Sequence, residues 1–215
     1  TLRAYSINDG KEIWARKTQG SLIRSQKRLS LVILNEKIYF NNSLGDISAI
    51  DINNGNLLWQ TPTQSSLAFD TGFFLKTSDV VADKDALFFS NNQNQFFSLD
   101  IQTGNLNWKQ EINSNLRPVI INDFIFTISL EGYLIIIEKN TGNIIRSNYL
   151  FNKFKAKNRL KIKPTGFIVG NKNIYLSSNI GRLLVIDIGT GETKTILKVV
   201  NKKISRPAIF NKNLY

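Results

Sequence analysis

Five segments of this 215-residue chain align on one glycine: LRAYSINDGKEIW, ISAIDINNGNLLW, FFSLDIQTGNLNW, YLIIIEKNTGNIIR and LLVIDIGTGETKT. The glycines are Gly10, Gly55, Gly104, Gly142 and Gly191, spaced by 45, 49, 38 and 49 residues. An acidic residue stands four positions before the last four of them (Asp51, Asp100, Glu138, Asp187). Four positions after the first three stand Trp14, Trp59 and Trp108, the only tryptophans in the chain. Self-similarity at such a period means that one supersecondary unit is used several times, and this constrains the fold more than any local window does.

Each unit carries two further strand signals ahead of the glycine segment. They are LVIL then KIYFNN, DVVA then ALFFS, PVII then FIFTIS, and GFIV then NIYLSS, separated by turn-forming stretches such as LNEK, ADKD, IND and GNKN. With the hairpin around the glycine, where Asn54-Gly55 and Thr103-Gly104 supply the positive φ a tight turn needs, each unit has four strands, A to D. No window sustains a 3.6-residue apolar period. The expected fold is all-β, a β-propeller of four-stranded antiparallel blades. Leu2 to Ile7 read as a C strand, Pro207 to Phe210 as an A strand, and Leu214 and Tyr215 as the start of a B strand. Residues 1–215 are thus expected to be a single propeller domain of about four complete and two partial blades, part of a seven- or eight-bladed ring. The chain opens at Thr1 rather than Met, as expected of a processed or cut piece.

GDISAIDINNGNLLW and NQFFSLDIQTGNLNW resemble the repeats of the quinoprotein-type (PQQ-like) propeller family: a G-x-L-x-A-L-D stretch, then T-G, then Trp. The resemblance implies that Trp14, Trp59 and Trp108 dock each blade onto its neighbour. Arg146 and Thr195 replace Trp in the later repeats, so docking there must differ. Within the family the repeats look most like the non-catalytic branch, the outer-membrane assembly lipoproteins (BamB). That branch implies a scaffold on the periplasmic face of the bacterial outer membrane, held by an N-terminal lipid anchor outside this segment. Its partner would be a protein of the envelope assembly machinery. The alternative within the family is a PQQ-dependent dehydrogenase. Such enzymes hold the quinone with calcium, an aspartate base and a disulfide of adjacent cysteines, and none of these can be matched here.

The residues speak against catalysis on their own account. The chain has no His and no Cys, which removes the usual neutral-pH acid–base group, thiol chemistry and ordinary zinc sites. DINNGN (Asp51 to Asn56) imitates a calcium loop, but the twelfth position, where a bidentate acid belongs, is Pro62. GTG (Gly189 to Gly191) is the repeat's turn rather than a phosphate cradle, since no helix follows it. One carboxylate per repeat, at Asp51, Asp100, Glu138 and Asp187, suits a structural role better than a catalytic pair, whose members must lie within several ångströms of each other. No catalytic residue, cofactor or metal is expected. No run of about 18 apolar residues suggests a membrane-spanning helix.

Charge is the remaining signal. The net charge is +12, yet residues 1–138 hold 12 basic and 14 acidic side chains, against 16 and 2 in residues 139–215. Within KFKAKNRLKIK every odd position is cationic: Lys153, Lys155, Lys157, Arg159, Lys161 and Lys163. Antiparallel topology puts this stretch in the connector from strand D (Asn143 to Ser147) to the next strand A. RSQKR (Arg24 to Arg28) and KVVNKKISR (Lys198 to Arg206) lie in equivalent connectors, which predicts one cationic rim. A period of two predicts an extended segment, with Phe154, Ala156, Leu160 and Ile162 turned toward the protein and the cations toward solvent. Such a face suits an acidic protein or an anionic membrane surface, or simply protects an edge from aggregation. Nucleic acid is disfavoured, because single-strand binding interleaves aromatic platforms with charge and only Phe154 is available.

Overall fold

The second and third strands of each repeat are near-continuous apolar runs, such as ALFFS and QFFSLD, and a strand reads that way when both of its faces are covered. The computed structural model describes residues 1–18, 30–42, 46–63, 77–91 and 93–215. They form two compact units, Thr1–Glu111 and Ile112–Tyr215. The first unit opens with a hairpin of β1 (Leu2–Tyr5) and β2 (Glu12–Arg16). Two four-stranded antiparallel sheets follow: β3 (Leu31–Leu34), β4 (Lys37–Asn41), β5 (Ile47–Asp51) and β6 (Leu57–Thr61), then β7 (Val81–Ala82), β8 (Ala86–Ser90), β9 (Gln95–Asp100) and β10 (Leu106–Glu111).

The second unit holds two more such sheets. One is β11 (Val119–Ile121), β12 (Phe124–Ile128), β13 (Tyr133–Glu138) and β14 (Ile144–Tyr149). The other is β15 (Pro164–Gly170), β16 (Asn173–Ser178), β17 (Arg182–Asp187) and β18 (Thr193–Lys198). A short hairpin of β19 (Ile209–Phe210) and β20 (Asn213–Leu214) ends the unit, and a single helical turn, α1 (Ala156–Arg159), lies between β14 and β15. Each sheet is a meander with its strands in sequence order, so A–B and C–D turns share one end and B–C turns and D–A connectors the other.

The cores lie between sheets. In the first unit Tyr39, Ile47 and Ala49 of one sheet meet Leu87, Phe89, Phe97 and Leu99 of the next. In the second unit Phe126, Ile128, Leu134 and Ile136 meet Phe167, Ile174, Leu176 and Leu184, with Leu150, Phe151 and Ile162 of the connector added to them. Outer strands such as β6 and β14 keep one face in water.

One irregularity recurs in every repeat. The C–D pairing slips by one residue, so that Ala49 faces Trp59 while Ile50 faces Leu57, leaving Leu58 as the extra residue. The same slip occurs at Ile13, Asn107, Ile145 and Lys194. It is a β-bulge, which re-aims the residue that follows it, and that residue is the repeat's Trp, Arg or Thr.

Candidate functional site

Bulge and glycine together build the junctions between sheets. Trp14 lies flat on Gly55 of the following sheet, where a Cβ would stand 2.7 Å from the indole, and its Nε1 donates to Ile52 O at 2.9 Å. Trp59 lies on Gly104 in the same way, with a Cβ there only 2.5 Å from the ring, and Thr61 Oγ1 donates to Gly104 O at 2.7 Å. Trp108 packs against Phe88 and Phe96 of its own sheet at centroid separations of 6.0 and 6.1 Å. Where Trp is replaced in the second unit, the junction is polar. The Arg146 guanidinium donates to Gly189 O, the Asn148 side chain sits over Gly191, and Thr193 Oγ1 donates to Leu150 O at 2.9 Å.

The repeat carboxylates belong to their own turns. Asp51 accepts from the N–H groups of Asn53 and Asn54, and Asp100 from Gln102 and Thr103. Glu138 accepts from the Thr141 hydroxyl. Asp187 accepts from Thr190 N and pairs with Lys194 at 2.6 Å. The hydrogen bond from Lys194 is the main reason that the Asp187 carboxyl falls from 3.8 to about 2, and the N–H and hydroxyl of Thr103 lower Asp100 in the same direction. Asp100 and Asp187 thus stay ionised at neutral pH, and all four carboxylates fasten their turns. Asp187 and Lys194 also line a cleft of about 550 Å³ with Asn148, Leu150, Lys153 and Thr190.

The cationic stretch departs from its expected form. Residues 153–163 are not extended. Lys155 leads into α1, and i to i+3 bonds from Asn158 N, Lys161 N and Ile162 N tighten the chain into a compact loop. The physical reason is that an extended segment must pair its backbone with a neighbouring strand and this one has none. Lys155 to Lys161 also contains no β-branched residue to resist a helical turn. The alternation of faces is lost as well. Phe154 is half-buried and Ile162 buried as expected, but Ala156 is exposed and Leu160 is 87% exposed. Arg159 turns inward, its Nε donating to Phe154 O at 2.9 Å and its Nη2 to Asn152 O at 2.7 Å.

The loop is anchored at both ends. Phe151, fully buried, covers Gly132, and Leu150 N donates to Gly132 O at 2.9 Å. At the far end Asn179, in the β16–β17 turn, receives Lys163 N on its Oδ1 at 2.7 Å and donates its Nδ2 to Lys161 O at 3.0 Å. The same turn holds the next connector. Val199 N and Val200 N donate to Gly181 O, and Arg182 reaches Val200 O at 3.2 Å. Gly181 has φ +70° and a Cβ there would lie 1.9 Å from Val200 O, so only glycine fits. Both basic connectors of the second unit therefore converge on one turn. Lys153, Lys155, Lys157, Lys161, Lys163, Lys198, Lys202 and Lys203, on these connectors and the end of β18, are exposed. Lys153 donates to Lys194 O at 2.8 Å. Among the described residues nothing pairs with the side chains of Lys155, Lys157, Lys161 or Lys163. Arg24 to Arg28 lie outside the described residues.

The sequence model of the family described as outer membrane protein assembly factor BamB matches residues 1–148. The chain belongs to that family. Among curated proteins none matches the sequence. BamB from Moraxella catarrhalis is similar in structure, with a TM-score of 0.59 and 15% identity over 99% of this chain and 74% of that one. The Cps50 (Swd1) β-propeller domain of Myceliophteria thermophila has a TM-score of 0.66 and 12% identity over 88% of this chain and 60% of that one. Quinohemoprotein alcohol dehydrogenase from Comamonas testosteroni has a TM-score of 0.63 and 14% identity over 81% and 35%. At such identities the likeness speaks for the fold, which is a β-propeller built of four-stranded blades.

The family resemblance implies a quinone held with calcium in its enzymatic branch, and the donors among the described residues do not fit that pair. The repeat carboxylates are tied into separate turns, and no three acidic side chains converge among the described residues. The chain also has no cysteine to form the disulfide that the resemblance implies.

Proposed function

We propose that this BamB-family chain is a non-catalytic scaffold of outer-membrane protein assembly, acting at the periplasmic face of that membrane and binding a protein of the assembly machinery. The family match over residues 1–148 carries the reading. The turn-bound carboxylates support it, since each of them is tied into its own turn and no three acidic side chains converge among the described residues. Lys153, Lys155, Lys157, Lys161 and Lys163 form a cationic interaction face whose loop Arg159 shapes, and the scaffold role does not require this face to be the one that meets the assembly protein. Trp14, Trp59 and Trp108 act as blade-docking residues. Cross-linking in the native envelope followed by identification of captured proteins tests the role, with capture of the barrel-inserting machinery expected. Capture of no outer-membrane assembly protein would refute it.

The likeness to a quinohemoprotein alcohol dehydrogenase favours one second reading, quinone-dependent alcohol oxidation. Dye-linked oxidation in the presence of added quinone and calcium separates the two. Turnover there would replace the scaffold reading.

A further inference from the structure

The β14–β15 connector combines features that a loop with only a linking role does not need. It is rigidly built, with Phe151 and Ile162 buried at its ends, Arg159 bonded to two of its own carbonyls and Asn179 clasping its exit. At its apex it exposes a leucine, Leu160 at 87%, amid Lys155, Lys157, Lys161 and Lys163. A preorganised loop loses little freedom on binding, which favours association.

We infer that this connector rests on a phospholipid surface carrying anionic headgroups, with Leu160 entering the headgroup layer and the four lysines meeting lipid phosphates. This deepens the reading of the cationic stretch as an interaction face and does not depend on the assembly role.

Three observations favour lipid over an acidic protein. The free cations are all lysine, which is depleted in protein interfaces, while the one arginine, whose fork would suit a carboxylate, faces its own backbone. The loop exposes a lone aliphatic side chain, Leu160, and no aromatic one, whereas protein hot spots centre on Trp, Tyr and Arg seated in pockets. No acidic side chain lies between Glu138 and Asp187 in the sequence, and Glu131, beside the Gly132 that the loop's entry covers, already accepts from Asn113 Nδ2, so the loop itself carries only positive charge. A flexible-stemmed lysine near a charged membrane strengthens partitioning by about fivefold. Four of them with one aliphatic tip give a weak, reversible contact, suited to orienting a protein already attached by a second means.

Sedimentation of the full chain with vesicles tests the inference, with no other protein present. One set contains phosphatidylcholine alone, the other phosphatidylcholine mixed with phosphatidylglycerol. Binding to the mixed vesicles only, weakening with added salt, is expected. The triple variant Lys155→Glu, Lys157→Glu, Lys161→Glu should lower it by at least about a hundredfold, since loss of each lysine costs about fivefold and each glutamate adds repulsion. Leu160→Ser should lower it severalfold with no change in thermal midpoint.

The chain has no cysteine, so Leu160→Cys can carry a single environment-sensitive dye. Its emission should shift to the blue on mixed vesicles, while the same dye at Asn140→Cys, in the turn at the other end of the sheet, should not respond. No binding, equal binding to both vesicle sets, an unresponsive Leu160 probe, or undiminished binding by a folded triple variant would each overturn the inference. So would a triple variant that keeps vesicle binding but loses a captured acidic protein, which would assign the loop to protein docking. Because the vesicles hold no assembly protein, failure here leaves the scaffold role untouched, and failure of that role leaves this test intact.

Discussion

At the residue scale, the repeat tryptophans differ in what holds them. Trp108 is 9% exposed and flanked by two phenylalanines, so Trp108→Ala should cost about 3–5 kcal/mol in denaturant unfolding, as for large buried aromatics. A loss below about 1 kcal/mol would mean that the ring is not a wedge. Trp14→Phe and Trp59→Phe provide a subtler comparison. The first removes the Nε1 bond to Ile52 O, worth about 1 kcal/mol, whereas no acceptor among the described residues reaches Trp59 Nε1, so the second substitution should cost less. Asp187 has a titration signature. Its folded pKa of about 2 lies below the ordinary 3.8, so its bonds to Lys194 and Thr190 stabilise the fold above pH of about 4. That stability is lost as pH falls through about 2. Urea midpoints of wild type and Asp187→Asn, taken at constant ionic strength, should therefore converge as pH falls across this window. A gap that stayed constant would show that the carboxylate is not stabilised by its charge.

At the element scale, the strands were legible because their burial is written in their composition. Continuous apolar runs such as FIFTI and YLIIIE mark the B and C strands, and the glycine turns mark the C–D hairpins. The bulge before each docking residue was not legible. Leu58, Ile13 and Ile145 look like ordinary strand residues, and only the pairing register reveals that they are extra. The connector was misread for a related reason. Alternating cations fit a strand, but a strand needs a hydrogen-bonding neighbour, and the sequence cannot say whether one is present. The run of Ala156, Arg159 and Leu160 without β-branched residues was the available signal for a helical turn. Since the Arg159 guanidinium ties the loop to Asn152 O and Phe154 O, Arg159→Ala should speed amide exchange at Asn158, Lys161 and Ile162 by about tenfold. Exchange in β12 and β13 should be unaffected. If every amide accelerated together, the loop would be part of the cooperative core rather than a locally closed element.

At the scale of the whole molecule, the charge of +12 is a thermodynamic load. Residues 139–215 carry 16 basic and 2 acidic side chains, and Asp187, one of the two acids, is already paired with Lys194. Lysines held near one turn repel one another in the folded state more than in an expanded chain. Added salt screens that repulsion, since the Debye length shortens from about 10 Å at 0.1 M to about 3 Å at 1 M. It also weakens exposed pairs such as Arg3–Glu12 and Lys11–Asp9, but such pairs contribute little. Repulsion should therefore decide the sign, and the thermal midpoint should rise by a few degrees between low salt and about 0.5 M sodium chloride, about 1 kcal/mol for a chain of this length. Chloride is the right anion because sulfate would strengthen apolar burial as well. The triple reversal at Lys155, Lys157 and Lys161 should start from a higher midpoint at low salt and respond less to its addition. A wild-type midpoint that fell with salt would mean that attractive pairs outweigh repulsion, and the lysines around the β16–β17 turn would then have to be satisfied by charges elsewhere in the chain.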